Sequence, residues 1–209
     1  MSQLDIFSVE VSNRNDVTKG ICVVENGIYH YLPKFFSKAE SDSYLLALRE
    51  CIKWKQESMN MYGRKVDFPR LTSWYGDNDK PYKFSGITLQ PHAWNSEILS
   101  IKKRIETIAK VSFNSVLLNL YRNGNDSISW HTDAEPELGI NPVIVSVNFG
   151  ATRKFQLRHI KTGEKIEIEL AHGSVLVMEG ELQHFWQHQV PKTSKPVGER
   201  INLTFRVIK

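Results

Sequence analysis

The segment Arg200-Ile201-Asn202-Leu203-Thr204-Phe205-Arg206 near the end of the chain has the alternating pattern of a β-strand. Successive side chains of a strand point to opposite faces. One face would therefore carry Ile201, Leu203, Phe205 and Val207, and the other Arg200, Asn202, Thr204 and Arg206. A guanidinium matches a carboxylate through two parallel hydrogen bonds, so the polar face indicates a site for an acidic small molecule. Alternation is equally typical of an ordinary half-exposed strand.

Further polar residues upstream support the idea of a site. His131 and Asp133 are two residues apart in His131-Thr132-Asp133, so an extended backbone would direct both side chains to the same side. His188 follows much later, which suits a return path through a sheet. Two imidazoles and one carboxylate can occupy one face of an octahedral Fe(II) and leave its other positions open. The spacing predicts an iron site and oxidation chemistry.

Length and composition indicate one domain. The chain has 209 residues and is 41% hydrophobic, enough for one sizeable core. We expect a flexible polar arm at about 1–20 and a single domain at 21–209. The net charge of +4 and the pI of about 9.0 are a mild basic bias, compatible with a polyanionic partner and also found in many proteins without one.

The cysteines and the hydropathy of the chain bear on where it works. Cys22 and Cys51 form no CxxC pair, and we expect reduced thiols. No window approaches 18 apolar residues, and no export signal is evident. We therefore expect a soluble intracellular monomer without a membrane partner, cytoplasmic if bacterial and nuclear if eukaryotic.

Helix signals precede strand signals along the chain. Ser37 and Glu40 have capping-box spacing, which predicts a helix at about 38–54. A second helix is predicted after Asn95, with an apolar stripe at Ile98, Ile101, Ile105 and Ile108 and with Lys102, Lys103 and Arg104 on the solvated side. Strands are predicted at 115–121, 143–149, 154–158, 165–170, 174–178 and 200–207. This order favours a mainly β, α+β fold, a sandwich or jelly roll with helices on one side.

The polar motifs occur in an order found in one enzyme family. Asn119 and Tyr121 precede a turn-rich loop, then come His-x-Asp, a distant His and Arg-x-Asn-x-Thr-x-Arg. This arrangement resembles the AlkB-type 2-oxoglutarate- and Fe(II)-dependent nucleic-acid dioxygenases, especially the branch that repairs alkylated DNA. The resemblance spans about residues 60–208 and includes Tyr75-Gly76-Asp77, Phe84-Ser85-Gly86, Ser146-Val147-Asn148-Phe149-Gly150-Ala151, Ala171-His172-Gly173-Ser174 and Trp186-Gln187-His188-Gln189-Val190-Pro191.

The resemblance implies a double-stranded β-helix, the form of jelly roll found in this family, and a set of cofactor residues. Fe(II) would be held by His131, Asp133 and His188, with 2-oxoglutarate and O₂ as co-substrates. Arg206 would form the salt bridge to the far carboxylate of 2-oxoglutarate. Asn119, Tyr121, Asn202 and Thr204 would add hydrogen bonds, and Arg200 would add positive charge nearby. The implied reaction is hydroxylation of an N-methyl group, with release of succinate, CO₂ and formaldehyde.

The resemblance also implies a lid within about 57–92 and a set of residues for an alkylated base. Tyr82, Phe84 and Ser85 match lid positions over the base, and His131 would close the other side of the stack. Glu135 matches an acidic position near the edge of a cationic base such as 1-methyladenine or 3-methylcytosine. Ala134 departs from the family pattern, because close relatives carry a second acid there, and this leaves the substrate open.

Residues in the charged loops have two interpretations each. Met61-Tyr62-Gly63 matches a finger that fills the gap left by a flipped base, or is a surface hairpin tip with an exposed aromatic residue. Arg70, Arg64 and Lys65 are phosphate contacts or simply solvated charges. For the whole chain, the alternatives are a demethylase of RNA or of mixed single strands, and a catalytically idle jelly-roll binding module.

Overall fold

The structure, a computed structural model, describes the backbone of residues 20–61, 63–77, 82–84 and 87–209. It also describes their side chains, except at 61, 82–84 and 87–89. The expected N-terminal arm lies outside these residues apart from Gly20, which begins the first strand.

The elements of secondary structure are mostly strands. The strands are β1 (Gly20–Val24), β2 (Gly27–Leu32), β3 (Ser58–Met61), β4 (Arg64–Asp67), β5 (Leu71–Gly76), β6 (Tyr82–Phe84), β7 (Ile87–Leu89), β8 (Ser115–Tyr121), β9 (Ile128–His131), β10 (Ile144–Gly150), β11 (Arg153–His159), β12 (Lys165–Leu170), β13 (Ser174–Glu179), β14 (Trp186–Val190) and β15 (Arg200–Arg206). The helices are α1 (Lys38–Cys51), α2 (Ser96–Ala109) and the single turn α3 (Leu182–Phe185), with a 3₁₀ turn at Pro136–Leu138.

Two antiparallel sheets form the body of the fold. The larger has seven strands in the order β1-β2-β13-β10-β15-β8-β5, and the smaller has four in the order β12-β11-β14-β9. The pairs β3–β4 and β6–β7 are separate hairpins. Apart from the β1–β2 hairpin, neighbouring strands in the large sheet are distant in sequence, so the sheet assembles mostly from long-range pairings, as expected for a jelly roll.

The two long helices cover the outer face of the large sheet. Ser37 and Glu40 form the predicted capping box: the Ser37 hydroxyl accepts from the Glu40 N–H, and the Glu40 carboxylate accepts from the Ser37 N–H at 2.8 Å. Asn95 caps α2 by accepting from the Ile98 N–H at 2.9 Å. Apolar side chains of both helices pack against Val116, Leu118 and the apolar side of β15.

A second apolar cluster fills the space between the two sheets. Its members include Phe155 and Leu157 from the small sheet and Ile144, Leu176 and Tyr121 from the large one. The large sheet is thus covered on both faces, and all seven residues of β8 and all seven of β15 are buried. The polar side of β15 therefore faces the interior between the sheets, which is unusual and costs free energy unless those groups are paired.

The predicted elements mostly match, with three corrections. The first helix ends at Cys51 rather than 54, because Ile52 is already extended and buried. Arg104 is not simply solvated, since its guanidinium lies 4.3 Å from the Phe36 ring centroid and pairs with Glu40. Lys102 is also partly buried, with 21% of its side chain exposed. The segment 57–92, expected to contain the lid, also includes the buried strand β5 (Leu71–Gly76) at the edge of the large sheet.

Candidate metal centre and adjoining cavity

The tertiary structure brings His131, Asp133 and His188 together. His131 ends β9 and pairs directly with His188 of β14, and Asp133 follows two residues later. One ligand atom from each residue lies within 4.8 Å of the others. The two imidazole centroids are 4.2 Å apart, and His131 Nε2 is 3.9 Å from Asp133 Oδ1. The cluster is compact enough for the three residues to bind one ion.

Hydrogen bonding around this cluster leaves atoms available for a metal. His131 Nδ1 is 2.8 Å from the Ser129 carbonyl, so Nε2 remains for the ion. Asp133 Oδ1 and His188 Nδ1 are buried, and neither has a hydrogen-bond partner within the described residues. Buried polar atoms are rarely left unsatisfied. A carboxylate oxygen and two imidazoles fit a divalent cation such as Fe(II).

Asp133 is held in place from two sides. Arg206 donates to Oδ2 from Nη2 at 2.7 Å and from Nε at 3.3 Å, and the Asp133 N–H donates to Gln183 Oε1 at 3.0 Å. Burial alone raises the pKa of the Asp133 carboxyl, but the charges of Arg206, His188 and His131 outweigh it and lower the pKa below its usual range. Burial, with the neighbouring His131, lowers the pKa of His188 to about 3. An anionic Asp and a neutral His are the forms that bind metals.

A second buried arginine lies on the same strand as Arg206, and no carboxylate in the described part of the chain pairs with it. Arg200 is 1% exposed, its guanidinium carbon lies 4.8 Å from the Tyr121 ring centroid, and Nη2 donates to Asn148 Oδ1 at 2.6 Å. Nε and Nη1 have no hydrogen-bond partner within the described residues. Burial lowers the pKa of Arg200, which reports the cost of enclosing this charge. Two unused donors on a buried cation fit a carboxylate.

The other predicted cofactor residues surround this arginine. Asn202 pairs with Asn119 across β15 and β8, and Arg200 pairs with Tyr121. Asn202 Nδ2 donates to Ser146 Oγ at 2.8 Å and to Asn148 Oδ1 at 3.2 Å, and Thr204 Oγ1 donates to Asn202 Oδ1 at 3.1 Å. The polar face of the sheet is therefore a connected hydrogen-bond network that ends at Arg200.

Arg70 is buried, contrary to its expected role as a phosphate contact. It is 4% exposed, donates from Nε to Asn119 Oδ1 at 2.8 Å and from Nη1 to the Ser127 carbonyl at 3.3 Å. Its guanidinium is bonded inside the protein and lies at the wall of the cavity, so it is not a solvated surface charge. Since Asn119 Oδ1 accepts from Arg70, its amide nitrogen is directed elsewhere, and Arg70 fixes that orientation. Arg64 and Lys65 are exposed in β4.

A cavity of about 530 Å³ adjoins the metal cluster. Its lining includes Met59, Phe68, Arg70, Trp130, His131 and Glu135. Glu135 Oε2 is buried, and no group within the described residues hydrogen-bonds to it. The cavity therefore combines aromatic and apolar walls with a carboxylate whose oxygen can accept from a ligand.

The predicted finger and lid fall largely outside the described residues. Tyr62 and Ser85 lie outside them, and only the backbone of Met61, Tyr82 and Phe84 is described. Met61 ends β3, and Gly63 follows with a φ of 76° just before β4. Tyr82 and Phe84 lie in β6, paired with β7.

Some residues around the site carry no strong sequence signal. Gln183 reaches Asp133 from the short helix α3, and Asn148 accepts from both Arg200 and Asn202. Arg153 is buried and donates to the carbonyls of Asn123, Asp126 and Pro191, which holds the loop that leads to His131. Asn148 alternates with buried apolar residues in β10, and this pattern could have indicated that it belongs to the site. The local sequence around Gln183 gives no such indication.

The sequence as a whole matches the profile described as the 2OG-Fe(II) oxygenase superfamily over residues 29–206. The chain belongs to this superfamily. The matched span contains His131, Asp133 and His188 together with both arginines of β15. The oxygenase family and the observed donor set thus agree on an Fe(II) centre.

Several curated members of the superfamily are similar in sequence. "Alpha-ketoglutarate-dependent dioxygenase alkB homolog 3" of Bos taurus is 42% identical over 186 residues, which cover 84% of this chain and 64% of that protein. The Homo sapiens protein of the same name is 41% identical, with the same coverage. "DNA oxidative demethylase ALKBH2" of Mus musculus is 35% identical over 184 residues, covering 83% of this chain and 77% of that protein. The chain spans about two thirds of the length of the alkB homolog 3 proteins.

Solved structures support the superfamily fold. "The structure of OsALKBH1" aligns with a TM-score of 0.61 and 18% identity, covering 90% of this chain and 99% of that one. A prolyl hydroxylase from Trichoplax adhaerens, in complex with a peptide of hypoxia inducible factor, aligns with a TM-score of 0.60 and 12% identity, covering 88% and 84%. The predicted jelly roll with flanking helices is confirmed. Within the described residues, Cys22 and Cys51 are free thiols, and no helix is long and apolar enough to cross a membrane.

Proposed function

We propose that this protein is an Fe(II)- and 2-oxoglutarate-dependent dioxygenase that removes N-methyl groups from alkylated bases in DNA. The observation that carries the proposal is the cluster of His131, Asp133 and His188 at the wall of a cavity containing Glu135. It is accompanied by the buried guanidinium of Arg200, which has two donors without a hydrogen-bond partner within the described residues. DNA is the nucleic acid named for the ALKBH2 relatives. A binding module would have no use for such a donor set.

His131, Asp133 and His188 would hold Fe(II), each in the protonation state that a metal requires. When bound, Fe(II), 2-oxoglutarate and O₂ supply the oxidation: one oxygen atom enters the N-methyl group and the other enters succinate as CO₂ leaves. The hydroxymethyl product then loses formaldehyde and a proton, which restores the unsubstituted ring nitrogen of the base. The protein orients the groups and excludes water, while the cofactors carry the redox chemistry.

The geometry favours roles for Arg200 and Arg206 that are the reverse of those expected from the resemblance. Arg206 is engaged with Asp133, so its main role would be to fix that ligand. Arg200 retains two unsatisfied donors beside Tyr121, so it would bind the far carboxylate of 2-oxoglutarate. Asn119, Tyr121, Asn202 and Thr204 would complete this clamp, with Asn148 steadying Arg200 and Asn202.

The cavity suits a flat, cationic base. Glu135 would accept a hydrogen bond from the amino group of 3-methylcytosine or 1-methyladenine and would attract its positive charge. Tyr82, Phe84 and Ser85 would cover the base from the lid, and His131 would contact its other face. Met61, Tyr62 and Gly63 would form the finger at the tip of the β3–β4 hairpin. A base in a duplex must leave the stack to reach such a cavity.

The test is product release by purified protein supplied with Fe(II), 2-oxoglutarate and a 3-methylcytosine oligodeoxynucleotide, beside an Asp133→Ala control. We expect equal amounts of succinate and formaldehyde, both lost in the control. The same lesion in RNA serves as a parallel arm, and higher turnover there would move the substrate to RNA. If every nucleic acid tested gave succinate but no formaldehyde, the proposed demethylase activity would be wrong. If folded, metal-loaded protein released neither product, the binding-module interpretation would be favoured.

A further inference from the structure

The outer face of the small sheet is polar. Side chains facing the large sheet, such as Leu157 and Ile168, are buried, and those between them point outward and are partly or fully exposed. The outward residues are Lys154, Gln156, Arg158, Lys165, Glu167, Glu169, Gln187 and Gln189. Their charges are distributed unevenly along the strands.

Charge is balanced at the end of this face that holds Lys154. Lys154 Nζ pairs with Glu167 Oε1 at 2.6 Å, and Gln156 Nε2 donates to Glu167 Oε2 at 2.9 Å. Glu169 lies directly opposite Lys154 in the register of β11 and β12. Both oxygens of Glu167 are therefore occupied, and this part of the face needs no external ion.

The opposite end of the face carries two adjacent cations. Arg158 lies directly opposite Lys165 in the strand register, and neither forms an ion pair within the described residues. The Arg158 guanidinium is directed toward β14 and β9, on the other side of β11 from Lys165. No carboxylate of the described residues neutralises either cation, which makes this pair different from Lys154 and its carboxylate neighbours.

Arg158 is also held in a fixed position. Its guanidinium carbon lies 4.4 Å from the Trp130 ring centroid, and Nη2 donates to Gln187 Oε1 at 2.6 Å. An arginine stacked on an aromatic ring keeps its other N–H groups directed outward in a defined plane. Preorganised donors of this kind suit a phosphate better than a mobile side chain does.

Trp130 connects these cations to the cavity. It is half-buried in β9, next to His131, and it lines the same cavity as Glu135. Trp130, Arg158 and Lys165, which we call the Trp130 patch, therefore run from the rim of the cavity along the outer face of the small sheet. A strand whose modified base occupies the cavity would pass over this patch.

We infer that the Trp130 patch binds the nucleotide next to the modified base on a single strand. Its phosphate would bind the Arg158 guanidinium, with Lys165 of the neighbouring strand adding positive charge, and its base would pack against Trp130. Aromatic residues beside cationic ones are the means by which proteins bind single strands without reading sequence. In a duplex, the neighbouring base is already stacked and paired, so Trp130 could not contact its face. This inference rests on the proposed function, since it assumes that a nucleic acid enters the cavity.

The experiment measures the affinity of the full chain for a fluorescein-labelled, unmodified ten-nucleotide single strand by anisotropy, at several salt concentrations. Arg158→Gln should weaken binding about tenfold and reduce the salt slope by about one unit. Lys165→Gln, which changes an exposed side chain and leaves the fold intact, should weaken it in the same direction. Trp130→Phe should retain most of the affinity, and Trp130→Ala should lose about tenfold, as for one stacked base.

Lys154→Gln is the matched control, because it removes the same charge from the same strand and face. It should bind like the wild type. Equal losses in Lys154→Gln and Arg158→Gln, or wild-type binding by Arg158→Gln and Lys165→Gln, would overturn the inference. The inference would also be overturned if a duplex bound more tightly than the single strand and its binding depended equally on Arg158. Turnover of a methylated strand is measured in parallel. If the wild type turns over this strand but the patch substitutions do not change binding, only the inference about the patch is wrong. If the wild type shows no turnover, the proposed function is wrong.

Discussion

Arg206 and Asp133 form a buried ion pair in which two guanidinium nitrogens contact the same carboxylate oxygen, Oδ2, at 2.7 and 3.3 Å. The other oxygen, Oδ1, faces the His131 imidazole at 3.9 Å. The arginine thus fixes the rotation of the carboxylate and leaves one oxygen for a metal. This relationship supports our proposal that Arg206 positions the metal ligand and that Arg200 binds the co-substrate, and the two roles can be tested separately.

Replacing Arg206 should weaken the metal site. We expect Arg206→Gln to lower the affinity for Fe(II) or for Mn²⁺ by about 10- to 100-fold, because Asp133 loses the partner that orients it. Arg206→Lys should recover only part of this affinity, since an ammonium lacks the planar fork. Calorimetric titration of the metal-free protein measures the effect. Unchanged metal affinity in both variants would show that Asp133 is positioned by other groups.

Replacing Arg200 should affect the co-substrate and spare the metal. Arg200→Gln should raise the dissociation constant of 2-oxoglutarate by about 10- to 100-fold, the effect of losing hydrogen bonds to a charged group. Metal affinity should stay within about twofold, since Arg200 makes no contact with Asp133. Calorimetry with 2-oxoglutarate and Mn²⁺ measures both quantities. A larger loss of 2-oxoglutarate binding in Arg206→Gln than in Arg200→Gln would reverse our assignment.

Glu135 should select for positive charge on the base. Glu135→Gln keeps the size and one acceptor oxygen but removes the negative charge. We expect kcat/KM for 3-methylcytosine to fall about tenfold, while kcat/KM for the neutral 3-methylthymine changes little. The ratio of the two is measured by formaldehyde release from matched oligonucleotides. Equal losses on both substrates would indicate a general role in shaping the cavity.

Tyr62 tests the proposed finger. Tyr62→Ala should lower activity on a lesion within a duplex by at least about tenfold, since a stacked aromatic side chain would no longer fill the gap left by the flipped base. Activity on a single strand should stay near that of the wild type, because no gap forms there. Formaldehyde release from the two substrates measures the difference. Equal activity of the variant on both would identify residues 61–63 as an ordinary hairpin tip.

Asp126 should contribute stability that depends on pH. Burial raises the pKa of this carboxyl, but hydrogen bonds from the Arg122 backbone and side chain outweigh burial and lower the pKa below its usual range. A lowered folded-state pKa means that the contribution is complete above the unfolded pKa of about 3.9 and is lost as the pH falls through the folded value.

Asp126→Asn should therefore cost about 1–2 kcal/mol in the free energy of unfolding at pH 7. The difference from the wild type should shrink below about pH 4. Urea unfolding at a series of pH values measures this difference. Glu50→Gln, which removes an exposed carboxylate without an ion pair in the described part of the chain, is the control and should show little effect at any pH. A difference that stays constant down to pH 3 would contradict the ion-pair explanation.

Strands with one polar and one apolar side could be predicted from the sequence because their pattern is local. The predicted strand at 115–121 matches β8, and 165–170 matches β12. β5 was missed because both of its faces are covered: Trp74 packs in the small cluster with Phe68, while Tyr75 packs against the helices. A strand that carries large apolar residues on both faces has no alternation to detect.

Some features of the site were likewise predictable from the sequence, and others were not. The residue types and spacing of His131, Asp133 and His188, and the two arginines of one strand, were readable because metal and anion chemistry permits few side chains. The choice between Arg200 and Arg206 was not readable, since both have the same type and the same face. Only the register of β15 against β8, and the position of Asp133 beyond β9, decide which guanidinium meets a carboxylate.

The sequence by itself therefore determined the chemistry available to this protein: an iron-binding donor set, two arginines for acidic groups and an alternating strand to carry them. The tertiary structure alone decided how those groups are paired, that Arg70 lies inside the protein next to Asn119, and that Trp130 stacks on Arg158 at the rim of the cavity. The reason is that local patterns fix which way a side chain points from its own strand. Its partner comes from long-range strand pairing, which no local pattern specifies.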